Sequence, residues 1–135
     1  MQGQFEDLVQ VTDALYQVEL AKVQKIAAEE ARLRQALADL DAQARDAMEA
    51  AQNDMMALRA LGADLLWRQW VGRARAGLQM QLAQVLVRKN EAMTRLRRAF
   101  GKSSVAQELR DQDRAENTKM REAKRIAEEL EKLSQ

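Results

Sequence analysis

The sequence predicts an all-α chain, a long two-helix antiparallel coiled-coil hairpin whose second helix is longer than its first. Three observations predict it. Strong helix formers dominate, and proline is absent from all 135 residues. Apolar residues recur at steps of three and four in both halves, the spacing of a helical seam and not of a strand. The charge is also segregated: residues 1–58 carry 11 acidic and five basic side chains, whereas residues 59–102 carry ten basic and two acidic. An acidic helix followed by a basic one favours folding back over pairing with a second copy.

Helix 1 is expected over about residues 4–60. Its seam reads Leu8, Val11, Leu15, Val18, then Ile26, Leu33, Leu37, Leu40, Ala44, Ala47, Ala51, Met55 and Leu58. The eight-residue interval from Val18 to Ile26 passes through Lys22 and reads as a stutter that locally unwinds the supercoil. Glu30 also falls on the seam.

A turn is expected at about 61–64. Arg59 sits where a cation complements a helix C-terminus, Gly62 where a left-handed residue ends a helix, and Asp64 where a carboxylate caps the next one.

Helix 2 is expected over about 65–132. Its stripe runs Trp67, Val71, Ala74, Leu78, Leu82, Val85, Lys89, Ala92, Leu96 and Ala99, then fades through Ser103, Ala106 and Leu109. Gly72 and Gly77 read as interior glycines, whose one gain would be the close approach of a partner surface. Ser104 and Gln107 match a capping box, so a second break at 101–104 is an alternative. The unbroken phase of Leu96, Ala99, Ser103 and Ala106 favours a continuous or slightly kinked helix.

With the turn at Gly62, residue i faces about residue 124 − i, which sets Leu37 near Val87 and Leu8 near Glu116. The paired rod is then on the order of 80 Å long. Residues from about 120 to 135 outlast their partner and form a tail with a fraying end, supported by pairs such as Glu128–Lys132.

Composition excludes most chemistry. Cysteine and histidine are both absent, so disulfides, thiolate sites and imidazole bases are ruled out. Gly101-Lys102-Ser103 resembles the end of a phosphate-binding loop, but Leu96 fills the slot of its first glycine. Glu29, Glu30, Asp39 and Asp41 read as a solvated acidic face and not as metal ligands. No catalytic residue, cofactor, metal or small-molecule substrate is assigned, and the chain reads as a non-enzyme. No apolar run reaches the roughly 18 residues of a membrane span, and no signal peptide opens the chain, which points to a soluble, cytoplasmic protein.

The basic stretch Arg88, Lys89, Arg95, Arg97, Arg98 and Lys102 could contact nucleic acid. Interleaved acids and a net charge of +1 favour its facing Glu29, Glu30 and Asp39 across the seam instead. Trp67 fits the seam, and Trp70 lies one step off it, either packed on the flank or exposed as a partner anchor.

Three segments carry a resemblance. They are Leu15-Tyr16…Glu19…Lys22…Gln24-Lys25, Leu66-Trp67-Arg68-Gln69-Trp70-Val71 after the turn, and Arg95-Leu96-Arg97-Arg98-Ala99-Phe100 leading into a charged tail. In this order, on a helical hairpin, they resemble the FliJ/YscO proteins of flagellar and type III secretion export. The resemblance implies a central stalk similar to the γ subunit of rotary ATP synthases. Its paired termini would insert into a hexameric export ATPase, and its middle would contact an export gate protein. On this chain the ATPase-facing end would be Phe5, Leu8 and Val11 with the opposing Met120, Arg121, Lys124 and Arg125. No gate-contact motif maps residue by residue, and Trp70 stands as the candidate anchor near the turn. A monomer is favoured. The competing readings are a generic coiled-coil scaffold that dimerises beyond residue 103 and a helical protein associated with nucleic acid.

Overall fold

The computed structural model describes residues 2–53 and 61–135. It is all-α, with no strand among the described residues: α1 spans Gln2–Asn53 and α2 spans Leu61–Leu133. α2 runs unbroken through Gly101–Ser104, and Ser104 is an exposed helical residue and not a cap. Its end is closed by Ser134, whose N–H donates to the Leu130 carbonyl at 3.2 Å and whose hydroxyl donates to the Glu131 carbonyl at 2.9 Å. No helix among the described residues is long and apolar enough to cross a membrane.

The expected turn at 61–64 is corrected. Leu61–Asp64 is the first turn of α2, and no described glycine has a positive φ. Gly62 therefore provides no left-handed cap and lies in the first turn of α2. Asp64 acts inside the helix, where its charge opposes the positive end of the helix dipole and it pairs with Arg68 at 3.3 Å. The expected end of helix 1, with Met55, Leu58 and Arg59, lies outside the described residues.

The chain divides into two compact units. One comprises Lys22–Ala92. Within it Arg88 pairs with Glu29 at 2.9 Å, Lys89 with Glu30 at 2.8 Å, and Arg75 Nε donates to Asp41 at 3.0 Å. Partners descend along α2 as they ascend along α1, so the two segments run antiparallel. Leu33, Leu40, Val71, Val85 and Ala92 are its buried apolar residues. Ile26, Glu30, Leu37, Ala44 and Ala47 on α1, and Ala74, Leu78, Leu82 and Lys89 on α2, are half-buried along the same seam. Glu30 and Lys89 therefore answer each other across the seam, which explains how two charges sit on an apolar stripe.

The other unit comprises residues 2–21 and 93–135. Arg114 pairs with Glu6, the rings of Tyr16 and Phe100 lie 5.7 Å apart in a tilted arrangement, and Arg95 lies 3.7 Å from Glu19. Again the order is antiparallel. The register is corrected as well: Leu8 lines a groove with Gly101 and Val105, not with Glu116. In the first unit the ion pairs Glu29–Arg88 and Asp41–Arg75 bracket Leu37, so it faces α2 residues preceding Val87. The displacement at Leu37 amounts to about two helical turns.

The seam of the first 20 residues also differs from expectation. Leu8, Val11, Leu15 and Val18 are exposed, and the covered positions are Phe5, Val9, Thr12, Tyr16 and Glu19. This row continues by fours and threes into Val23 and Ile26, so α1 has no stutter and Lys22 is exposed. Two polar residues make the covered row possible. The Thr12 hydroxyl is buried but donates to the Leu8 carbonyl at 2.8 Å, with the Val9 carbonyl at 3.2 Å. Glu19 lies beside Arg95. Opposite them α2 offers Ser103 and Ala106, both buried, where small side chains let the helices approach.

Gly72 and Gly77 sit inside α2, and a Cβ added at either would meet no atom within 4 Å. The close approach expected of them is not made by α1. Gly72→Ala and Gly77→Ala should therefore each stabilise the chain by about 1 kcal/mol, the helix propensity difference. Chemical denaturation followed by circular dichroism checks this.

Candidate partner-binding surfaces

The residues expected to face an ATPase do not form a paired end. Phe5 is half-buried in the seam. Leu8 and Val11 are exposed, but on the flank of the pair. Met120, Arg121, Lys124 and Arg125 lie beyond the pairing: Asp113 and Asn117 are the last half-buried residues of α2, and every residue from Thr118 onward is exposed. Residues 118–133 thus form a single helix, roughly 24 Å long at 1.5 Å per residue. Met120, Ile126, Leu130 and Leu133 are its exposed large apolar residues. Five cations and four carboxylates lie among them, at Lys119, Arg121, Glu122, Lys124, Arg125, Glu128, Glu129, Glu131 and Lys132. The sequence signals this tail through the fading of the seam and through the unequal arms of the expected hairpin.

Trp67 and Trp70 stack on one another, with ring centroids 5.2 Å apart and planes 22° apart. Trp67 also lines a shallow groove with Ala44, Met48 and Val71, at the edge of the seam, and is 37% exposed. Trp70 is about half exposed, packed against Trp67 on one side and open on the other.

The basic stretch of α2 divides in two. Arg88, Lys89 and Arg95 engage Glu29, Glu30 and Glu19. Arg97, Arg98 and Lys102 make no ion pair among the described residues. At Glu30 the hydrogen bond from Lys89, and then that from Arg34 at 2.9 Å, hold the carboxyl below its ordinary value of 4.5. A depressed folded-state value means that the bridge stabilises the fold above pH 4.5 and that this share is lost as pH falls through the lower, folded value. Glu30→Gln should flatten the acid limb of the melting temperature against pH, leaving the neutral plateau lower. Thermal melts across that range check it.

Among the described residues no group of three His, Cys, Asp or Glu side chains could hold a metal ion. The grooves are shallow and open, lined by the flanks of two helices. No family model, curated protein or solved structure matches this chain.

Proposed function

We propose that this chain is a non-enzymatic stalk or adaptor of a flagellar or type III protein export apparatus, which engages a hexameric export ATPase. The observation that carries the reading is the unpaired helix 118–133, exposed on every side while carrying Met120, Ile126, Leu130 and Leu133. A helix of this kind buries its apolar residues only against another molecule. Its cations Arg121, Lys124 and Arg125 lie one turn or less apart and suit an acidic rim. The order of the FliJ/YscO-like segments along the chain supports an export ATPase as the partner. The insertion mode is revised accordingly: a single C-terminal helix enters, and Leu8 and Val11 do not accompany it.

The experiment is a pull-down of a hexameric export ATPase with the full chain and with a chain ending at Asn117. Capture by the full chain alone supports the reading. Equal capture by both sinks it.

A further inference from the structure

The first turns of α1 carry an apolar stripe that the fold does not use. Leu8, Val11, Leu15 and Val18 follow a three-four-three spacing, as a packed helix face does, yet α2 covers the neighbouring row instead. Val11, Leu15 and Val18 remain 58%, 54% and 51% exposed. Within the unit formed by residues 2–21 and 93–135, Leu8 of this stripe lines an open groove of about 500 Å³, and Val11, Leu15 and Val18 continue its face along α1 beyond it. Leu8 and Thr12 line it on the α1 side, and Arg98, Gly101, Lys102, Val105 and Ala106 on the α2 side. Val105 is 55% exposed, and Leu109, one turn on, continues the same face.

We propose that this groove docks an acidic amphipathic helix of another protein, which lies along α1 and α2 as a third helix. Three features select that occupant. The floor is apolar and elongated, so the ligand needs leucine-like residues at helical spacing, the recurring way in which a helix is held in a groove. Gly101 lowers one wall, and a Cβ placed there would meet nothing within 4 Å, which leaves room for the backbone of an incoming helix. The rim is cationic and uncompensated. None of the seven lining residues is acidic, and neither Arg98 nor Lys102 is ion-paired among the described residues. Arg95, which follows the same face, is already engaged with Glu19.

Glutamates flanking the leucine stripe of the ligand would pair with Arg98 and Lys102 and set its direction. A second copy of this chain fits worse, because its equivalent face brings two further cations and no carboxylate to the groove. Nucleic acid would satisfy the cations but leave the Leu8–Val105 floor without an apolar partner. The proposal is independent of the tail helix, since none of its residues lies beyond Leu109.

The test uses the full chain and a labelled synthetic helical peptide of three heptads, with leucine at the core positions and glutamate at the flanks. A second peptide carries lysine at the flanks. Fluorescence anisotropy should show the glutamate peptide binding at least tenfold more tightly than the lysine peptide. Leu15→Glu should weaken the glutamate peptide at least tenfold with unchanged helicity by circular dichroism. The double variant Arg98→Glu, Lys102→Glu should reverse the preference between the two peptides. Equal binding of both peptides, or binding unmoved by Leu15→Glu, overturns the proposal. A homodimer in sedimentation that Leu15→Glu dissolves assigns the face to a second copy and also overturns it. So does salt-dependent RNA binding that needs Arg98 and Lys102 but not Leu15.

Discussion

Leu33→Ala is expected to cost about 2–3 kcal/mol, whereas Leu15→Ala should stay within about 0.5 kcal/mol of the parent. Both leucines belong to rows of apolar residues at helical spacing, and the sequence alone assigns them the same role. Leu33 is 1% exposed, while Leu15 is more than half exposed. The bridges Glu29–Arg88 and Glu30–Lys89 sit one turn away and bring Leu33 level with Val85, which is also almost fully covered. Truncation at Leu33 removes the buried methyl groups and leaves a void that two helices close only in part. The cost falls at the low end for buried leucines because a two-helix seam surrounds each residue with fewer neighbours than a globular core. For a chain of this size the loss corresponds to a fall in melting temperature on the order of 10 °C. Urea titration of both variants decides it. Equal losses would mean that the covered row of α1 has been misassigned.

Removal of residues 118–135 is expected to abolish capture by the proposed ATPase partner, at least tenfold in affinity, while the unfolding free energy moves by no more than about 0.5 kcal/mol. The two readouts separate because the tail makes no buried contact: every residue from Thr118 onward is exposed, and the last cross-helix ion pair is Glu6–Arg114. A helix of this length is marginal in water, but the paired part of α2 supplies its nucleus. Pairs such as Glu128–Lys132 add about 0.2–0.5 kcal/mol. A large loss of stability on truncation would instead show that the tail packs on the chain, and its exposed leucines would then need no partner.

Much of this architecture is legible in the residues. Nothing in the sequence stops a helix, and α2 is one helix of 73 residues. Its expected seam from Val71 to Ala106 coincides with the covered positions, because on α2 only one row keeps the three-four spacing. The opposed charges of the two halves anticipated the bridges from Arg88 and Lys89 to Glu29 and Glu30. Two features were not legible. The start of α2 is one, because Gly62 and Asp64 suit a helix break and a first helical turn equally well, and α2 begins at Leu61. The covered face of the first 20 residues was misjudged because α1 carries two rows there, and the more apolar one is the one left outside.

Local chemistry thus sets the helicity and the long stripe of α2, since spacing acts between near neighbours along a helix, while the segregated charges of the two helices favour the antiparallel sense. The choice between Leu8–Val18 and Val9–Glu19 belongs to the packed pair. It turns on whether Thr12 can bond its own backbone, whether Glu19 meets Arg95, and whether Ser103 and Ala106 leave space opposite them. A periodic pattern reports that a face exists. Only the partner helix decides which face is covered, and here it leaves Leu8, Val11, Leu15 and Val18 outside.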